Sequence, residues 1–302
     1  MSVKPIVHLS DISEINRFVK SSTRHPLVSI VDFSKADEYI EEGTRISADF
    51  YSIMFKNYCT NQLKYGRQSL DFQDGNLICI APRQILTMDT EIEMKEDRTG
   101  WGLFFHPDLL RGTSLANKMS EYSFFSYDVT EALHLSDKEK SILLDCINKI
   151  EYELDQNIDT HSQKLIISNI ELLLNYCSRF YGRQFITRKN SNSNIIAQVE
   201  NVLKEYFNSA RVREQSLPTV KYLSERVNLS AGYLSDLLKK ETGMTAQDHI
   251  HYYLIEEAKN ILLNSDQSVS EIAYSLGFEY PQYFSKLFKQ KTGKTPGEYR
   301  AV

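Results

Sequence analysis

The sequence offers little material for covalent cross-links, for a membrane anchor or for a secretion signal. Its four cysteines, Cys59, Cys79, Cys146 and Cys177, are far apart and form no CxxC pair, which argues against a disulfide framework or a zinc site. Such isolated thiols are typical of reduced core residues in a cytosolic protein. No run approaches the roughly 18 apolar residues of a membrane helix, and residues 1–11 contain no apolar stretch of signal-peptide type. We therefore expect a cytoplasmic protein without a membrane partner.

Signatures of enzymatic chemistry are also missing from the sequence. We find no nucleophile motif, no glycine-rich phosphate loop and no paired carboxylates. The His-x-His pattern occurs only at His249 and His251, which we place on a helix. Two helical residues at that separation point about 200° apart, so they cannot hold one metal ion. We therefore expect neither an enzyme nor a protein with a metal or another cofactor.

The formal net charge of −5 argues mildly against a nucleic-acid partner, but the charge is unevenly distributed. Residues 195–302 carry 13 Lys and Arg against 13 Asp and Glu, so the residues before them carry the whole deficit. Within 280–302, five cations stand against the single acid Glu298. In 230–245, by contrast, two lysines are cancelled by two acids. Attraction to phosphate is therefore expected mainly from residues 280–302.

One sequence unit occurs twice near the C-terminus, at an offset of 50 residues. The segments Tyr233–Thr245 and Tyr283–Thr295 share Tyr, Ser, Leu, Lys, Thr, Gly and Thr at matching places. Each follows a short amphipathic helix and a tight turn, a combination typical of a helix-turn-helix, whose second helix can enter the major groove of DNA. The pattern predicts unit one over about 219–242 and unit two over about 269–292.

Capping residues mark the helices around these units. Asn228 and Leu229 form the turn of unit one, and Ser230 is placed to cap its second helix. Thr245 and Asp248 are placed to cap a long helix that ends near residue 263 and connects the two units. Such a helix spans about 27 Å, near one duplex turn of about 34 Å, so both units can face one side of DNA.

Short runs rich in β-branched and aromatic residues predict that residues 1–110 are mostly β, as a small antiparallel barrel or sandwich. The predicted strands are Leu27–Phe33, Tyr51–Phe55, Leu77–Ile80 and Trp101–Phe105. Two antiparallel helices are predicted over about 137–182, the first opened by a capping box at Ser136 and Glu139. Thr160 is placed to cap the second helix, and Gly182 to end it. The polar residues 188–194 are predicted to be a weakly structured linker.

The repeated region closely resembles the signature of AraC/XylS-type transcription regulators over about 195–301. In unit two the matching residues are Ser270–Phe278, Tyr283, Phe284, Phe288, Lys289, Gly293, Thr295, Pro296, Tyr299 and Arg300. In unit one they are Leu223, Ser224, Leu229, Ser230, Tyr233, Leu234 and Lys240–Gly243. Ser224 stands where the family usually has Ala, and Asn228 where it usually has Gly. Because Asn tolerates a left-handed conformation, we expect the turn to be retained.

The N-terminal half is similar, less closely, to the cupin-like sensing domains of that family, through Asp74–Pro82. Since the cupin metal pattern is absent, the resemblance implies a metal-free barrel. The expected fold class is α+β: a cupin-like β-barrel over about 1–110 with a helical hairpin over about 137–182, forming domain 1–187. A linker at 188–194 leads to an all-α DNA-binding domain at 195–302, with its two helix-turn-helix units joined by a long helix.

The resemblance implies a sequence-specific DNA-binding transcription regulator that acts as an activator. The implied partners are double-stranded promoter DNA and RNA polymerase. For the N-terminal domain the resemblance implies sensing of a small-molecule effector, dimerisation with a second copy of the chain through helices 137–182, or both.

In the second helix of each unit we expect apolar residues to face the core and polar residues to face the groove. The inward residues are Leu234, Leu237, Leu238, Phe284, Leu287 and Phe288. The candidate DNA-contacting residues of unit one are Ser230, Gly232, Tyr233, Ser235, Asp236, Lys239 and Lys240. Those of unit two are Tyr280, Gln282, Tyr283, Ser285, Lys286 and Lys289.

Their chemistry fits base recognition, because Gln can pair with adenine, Lys can donate to guanine and Ser accepts either partner. Asp236 can take a cytosine amino group or simply repel phosphate. Tyr233 and Tyr283 are expected to lie half in the core and half against phosphate. Lysines near helix C-termini, including Lys291 and Lys294, fit either phosphate contact or the helix dipole.

A second hypothesis is that the N-terminal half is a protein- or ligand-binding module and the C-terminal half a degenerate DNA binder. The neutral charge of residues 195–302 motivates it. An enzymatic hypothesis rests only on the analogy with cupins.

Overall fold

The computed structural model describes residues 6–35, 44–56, 64–65, 68–69, 75–88, 99–128, 131–156, 161–187, 189–207, 209 and 217–301. The chain divides into two compact units, residues 1–184 and 185–302. In the ranges described, no helix combines the length and the apolar character that crossing a bilayer requires.

Among the described residues, the larger sheet of the first unit is antiparallel and has five strands. They are β2 (Val28–Asp32), β4 (Tyr51–Lys56), β7 (Asn76–Ile80), β9 (Gly100–Phe105) and β10 (Leu133–His134). Their order is β10–β7–β4–β9–β2. Ile53, on the central strand, is opposite Cys79 on one side and Leu103 on the other. All three side chains are buried, so this register places the centre of the sheet in the core.

A smaller sheet has three strands: β1 (Ile6–Leu9), β3 (Thr44–Ala48) and β8 (Leu86–Met88). Their order is β1–β3–β8, with β1 parallel to β3. The strands β5 (Lys64–Tyr65) and β6 (Gln68–Ser69) form a separate antiparallel pair. Helix α1 (Ile12–Phe18) begins with a capping box at Asp11 and Glu14. Its buried Ile12 packs in one cluster with Phe33, Phe50 and Phe104 of the first unit.

The predicted closed barrel is not present among the described residues. Closure requires each strand to pair on both sides. Instead, β2 and β10 are the two edges of the five-stranded sheet, and the three-stranded sheet pairs with neither of them. The first unit is therefore a mixed β-sheet region with helices, within an overall α and β fold.

The four strands predicted from the sequence are confirmed to within one or two residues as β2, β4, β7 and β9. The missed strands are short or poorly patterned. β1 and β8 contain only 4 and 3 residues, and β3 is polar at Thr44, Arg45 and Ser47. In the segment Asp74–Pro82 that resembles a cupin, Asp74 lies outside the described residues, and Gly75 has a φ of +88°.

After β9 the chain makes a 3-10 turn at Pro107–Leu110, helix α2 (Ser114–Lys118), and 3-10 turns at Met119–Glu121 and Ser123–Ser126. The predicted helical hairpin follows as α3 (Asp137–Asp155) and α4 (Ser162–Thr187). The capping box at Ser136 and Glu139 is confirmed. The predicted cap Thr160 lies outside the described residues.

The predicted helix end at Gly182 is wrong, because α4 continues to residue 187. Glycine inside a helix costs only about 1 kcal/mol relative to alanine. Beyond it, Arg183 forms an ion pair with Glu139 at 3.0 Å. The buried Gln184 accepts from the His134 backbone N–H at 2.9 Å. These contacts fix the chain in a helical course past the glycine.

The second unit is helical throughout its described residues. Its helices are α5 (Lys189–Phe207), α6 (Val220–Val227), α7 (Ala231–Thr242), α8 (Ala246–Asn264), α9 (Val269–Ser275), α10 (Pro281–Thr292) and α11 (Pro296–Arg300). The starts of α7 and α8 follow the predicted caps Ser230 and Thr245. Thr245 with Asp248 and Ser268 with Glu271 form capping boxes.

The prediction of a weakly structured linker at 188–194 is wrong for residues 189–194, which form the first turns of α5. The buried Asn192 explains why a polar segment is helical here. Its side-chain amide donates to the Phe185 carbonyl at 2.6 Å and to the Glu241 carboxylate at 2.8 Å. Tertiary contacts of this kind routinely override weak helix propensity.

Candidate nucleic-acid interface

The first helix-turn-helix is formed by α6 and α7. Between them Asn228 adopts a left-handed conformation with φ +55° and ψ +46°, as expected. The Leu229 N–H donates to the Ser224 carbonyl at 3.0 Å, which closes the end of α6. The Ser230 hydroxyl accepts from the Tyr233 N–H and so caps α7. Ser224 is tolerated in place of the family's Ala because its hydroxyl donates to the Lys221 carbonyl at 2.9 Å.

The second helix-turn-helix is formed by α9 and α10 and repeats this geometry. Gly277 is left-handed, with φ +84°, at the place that Asn228 holds in unit one. The Phe278 N–H donates to the Ala273 carbonyl at 3.0 Å. Pro281 occupies the first turn of α10, and Tyr280 is its N-cap residue without a side-chain cap bond. The polar tip of Tyr280 is therefore not used in starting the helix.

The inward faces of α7 and α10 are as predicted, with one difference. Leu234, Leu237, Leu238, Phe284 and Phe288 are fully buried, whereas Leu287 is only partly buried. The two phenylalanines pack on each other and join the cluster formed by Leu254, Ile255, Ala258 and Leu262 of α8. Unit two therefore packs on the long helix between the units, and unit one contacts the same helix where Thr242 meets His249.

The outward face of α10 is open to solvent. Tyr280, Gln282, Tyr283, Lys286 and Lys289 are exposed, and Ser285 is half-buried. Gln290, which the sequence analysis did not single out, is also exposed one turn after Lys286. Its i, i+4 spacing from Lys286 was the available signal. The helix contains no acidic residue, so this face combines amide, hydroxyl and ammonium groups without opposing charge.

The outward face of α7 is less open. Lys239 and Lys240 are exposed, but Ser230, Gly232, Ser235 and Asp236 are only half-exposed. The two lysines lie in the last turn of the helix, where cations also favour the helix dipole. Unit one therefore presents a narrower and more neutral polar surface than unit two.

The prediction that Tyr233 and Tyr283 play equivalent roles is wrong. Tyr233 is 1% exposed and packs on Phe185 with ring centroids 4.9 Å apart. Tyr283 is 61% exposed and lies edge-on to Tyr280 at 5.8 Å. Tyr233 is a core residue because α4 supplies an aromatic partner for it. The repeat in the sequence gave no signal of that partner.

The ends of both recognition helices, α7 and α10, are fixed on α8. Lys291 forms an ion pair with Asp248 at 3.0 Å. Hydrogen bonding from Thr245 and the nearby Lys291 ammonium lower the pKa of Asp248 to about 2. The Thr242 hydroxyl lies 2.9 Å from Nε2 of His249, and burial lowers the pKa of that imidazole. The capping pattern in the sequence predicts Asp248 as a cap but gives no sign of its contact with Lys291.

The two histidines of the His-x-His pattern make different contacts. His249 is buried and contacts Thr242, whereas His251 lies 2.9 Å from the side-chain amide of Gln247. In the part of the chain that the structure describes, His, Cys, Asp and Glu side chains form no group of three suited to a metal ion.

Two helix-turn-helix units packed on one connecting helix define the structural class of the second unit. A family model described as a helix-turn-helix domain matches residues 223–301. Over this region the chain is similar to the helix-turn-helix domains of AraC-type proteins.

Two curated relatives illustrate the similarity. An uncharacterized HTH-type transcriptional regulator of Escherichia coli, YijO, is 27% identical over 160 residues, which are 53% of this chain and 52% of that protein. The HTH-type transcriptional activator RhaS of Escherichia fergusonii is 37% identical over 78 residues, 26% of this chain and 28% of that protein.

Among solved structures, the C-terminal domain of the two-component response regulator yesN from Fusobacterium nucleatum is 36% identical. The match covers 35% of this chain and 98% of that one, with a TM-score of 0.31. The chain spans about half or less of the length of the curated relatives it matches.

Proposed function

We propose that this protein is a sequence-specific DNA-binding transcription regulator whose two helix-turn-helix units occupy successive segments of the major groove. The observation that carries the proposal is the outward face of α10. Gln282, Lys286 and Lys289 are exposed there, while Phe284 and Phe288 are fully buried on the opposite face. Glutamine can pair with adenine and lysine can donate to guanine in that groove.

The connecting helix supports a two-segment arrangement. Helix α8 has 19 residues and therefore spans about 28 Å, close to one duplex turn of about 34 Å. Both units pack on this helix, so their separation does not depend on a flexible linker. Activation through RNA polymerase extends the proposal, because the similar protein RhaS is described as an activator.

The N-terminal unit is proposed to sense a small-molecule effector or to form a homodimer. The exposed apolar side chains of α3 and α4 support dimerisation: Leu144 is 44% exposed, Tyr152 63%, Leu165 46% and Leu172 40%. Sedimentation equilibrium tests this part of the proposal, with a dimer mass expected for the wild type and a monomer for Leu144→Glu. A wild-type monomer at all concentrations would exclude the dimer.

A mobility-shift assay tests DNA binding directly. The full-length protein is titrated onto promoter fragments and unrelated duplexes of equal length, at several salt concentrations. We expect a preferred fragment, and a loss of that preference in Gln282→Ala, because each base-pair contact discriminates by about 1–3 kcal/mol. Gln267→Ala is the matched control, since Gln267 is exposed but lies before α9. Salt-sensitive binding of equal strength to every duplex would contradict the proposal.

One observation favours a second candidate function. The middle of α7 presents only half-exposed Ser235 and Asp236, and its lysines are offset by acids. The protein would then be a protein- or ligand-binding module with a degenerate DNA-binding half. A stable partner complex from full-length protein, together with the absence of any mobility shift, would favour this second function.

A further inference from the structure

Two adjacent residues near the start of α8 contact the ends of the two recognition helices. His249 lies 2.9 Å from the hydroxyl of Thr242, in the last turn of α7. Asp248 lies 3.0 Å from the ammonium group of Lys291, in the last turn of α10. We call these four residues the junction, because they connect the two helix-turn-helix units. The C-terminal ends of both recognition helices therefore meet on one turn of the connecting helix.

Each contact in the junction is anchored by further hydrogen bonds. One oxygen of Asp248, Oδ2, accepts from the hydroxyl of Thr245 at 2.7 Å, which leaves Oδ1 for Lys291. The Thr242 hydroxyl also donates to the Leu238 carbonyl at 2.7 Å and accepts from the Met244 N–H at 3.2 Å. Neither Asp248 nor Thr242 can therefore turn away without losing a cap of its own helix.

Lys291 differs from the other lysines of α10 in the environment of its ammonium group. Its ammonium group is paired with a carboxylate, whereas Lys286 and Lys289 lie on the exposed outward face. A lysine that is paired with a protein carboxylate does not neutralise a phosphate group. It therefore releases no counterion from the DNA and adds little to the attraction between protein and phosphate. Its contact instead constrains the direction of α10 relative to α8.

We propose that Lys291 is a positioning residue that, with Asp248, sets the distance and angle between the two recognition helices. It thereby determines the spacing between the two DNA segments that the protein accepts. The effect on DNA spacing rests on the proposed DNA-binding function, but the role of the junction in fixing the recognition helices does not depend on DNA.

The DNA-independent test measures the distance between the recognition helices in the full-length protein. Spin labels on non-natural amino acids replace the exposed Lys240 and Gln290, and the distance distribution is recorded by pulsed electron paramagnetic resonance. We expect one narrow distribution in the wild type and a broader one in Lys291→Met and in Asp248→Asn. The double variant should equal either single variant, since both break the same contact. Unchanged distributions in both single variants would overturn the proposal.

Glu298→Gln is the matched control for Asp248→Asn. Glu298 closes the capping box of α11 with Thr295, as Asp248 does for α8, but it is not part of the junction. The control variant should retain the narrow distribution. A broadening as large as that of Asp248→Asn would show that loss of a capping acid, and not loss of the ion pair, loosens the helices.

The DNA test uses a pool of duplexes with a randomised central region, from which each variant selects its preferred sequences. The wild type should enrich two segments at one spacing. Lys291→Met should enrich the same segments at several spacings and bind the wild-type spacing about two- to fivefold more weakly, as loss of a partly exposed ion pair implies. Its salt slope should equal that of the wild type, whereas Lys289→Met should lower the slope by about one phosphate contact.

The outcomes separate the two proposals. If Lys291→Met lowers the salt slope by about one contact and keeps a single spacing, Lys291 contacts phosphate and the positioning role is wrong. If the wild type enriches no sequence, the proposed function is wrong, but the distance measurement still decides whether the junction fixes the recognition helices.

Discussion

At the scale of single residues, equivalent positions of the sequence repeat have different roles because their packing partners differ. Tyr233 and Tyr283 hold the same position in the two units, yet one is 1% exposed and the other 61%. The difference arises because Phe185, far from the repeat in sequence, covers only Tyr233. Similarly, Lys291 and Glu241 are matching positions, and each contacts a polar side chain near the start of a long helix, Asp248 or Asn192.

The two tyrosines should therefore differ in their effect on stability. Replacing the buried Tyr233 by Ala removes an aromatic ring from the core, and we expect a loss of about 3–5 kcal/mol in the free energy of unfolding. Tyr283→Ala should change it by about 0.5 kcal/mol or less, since its ring is exposed. Urea unfolding of the full-length variants, followed by circular dichroism, measures both values. Equal losses would show that the burial of Tyr233 does not contribute to the core.

The two recognition helices should also differ in their contribution to DNA binding. Lys286 is exposed on a helix without acidic residues, whereas Asp236 is half-exposed on a helix whose lysines are offset by acids. We expect Lys286→Ala to weaken specific binding by about 1–3 kcal/mol, and Asp236→Ala to weaken it less. Fluorescence anisotropy with one selected duplex at fixed salt measures the order. The reverse order would contradict the asymmetry between the units.

At the scale of elements, a helix or strand could be predicted when the residues that determine it lie close together in the sequence. The helices of the two helix-turn-helix units and the helix between them were predicted nearly to the residue, because caps such as Ser230 and Thr245 mark helix starts within the sequence itself. The helical start of α5 was missed, because it depends on Asn192 reaching Glu241, 49 residues away. The barrel expected over residues 1–110 is not confirmed by the described strands, because strand patterns do not reveal which strands pair.

The turn of unit one allows a test of a single backbone conformation. Asn228 has φ +55°, a left-handed conformation that other L-residues adopt only at a cost of about 1–2 kcal/mol, and that glycine adopts freely. We expect Asn228→Ala to destabilise the protein by about 1 kcal/mol and Asn228→Gly to leave it unchanged or slightly more stable. Thermal unfolding of both variants measures the difference.

Asn260→Ala is the control for that experiment, because Asn260 is exposed inside α8, where Ala has the better helix propensity. This control should be neutral or slightly stabilising. A loss in Asn260→Ala equal to that in Asn228→Ala would remove the left-handed turn as the cause.

At the scale of the whole molecule, the region that matches the helix-turn-helix family model is stabilised by residues that lie before it in the sequence. The family match begins at residue 223 and the sequence analysis placed the domain start at 195, but the second compact unit begins at Phe185. The ten residues between 185 and 195 contain both Phe185, which covers Tyr233, and Asn192, which holds Glu241. The sequence pattern gives no sign of these contacts, because they join residues about 50 positions apart.

Two fragments should therefore differ, although both contain both helix-turn-helix units. The fragment 185–302 retains the contacts on α7, and we expect it to unfold cooperatively. The fragment 195–302 exposes Tyr233 and leaves Glu241 without Asn192, so α7 should exchange its amide protons faster than α10 does. Hydrogen exchange read by mass spectrometry measures this for each helix. In the full-length chain, Phe185→Ala should accelerate exchange in α7 in the same way, while Ile186→Ala, whose side chain is 58% exposed, should not. Equal protection of α7 in both fragments would show that residues 185–194 are dispensable for unit one and that the domain begins at residue 195.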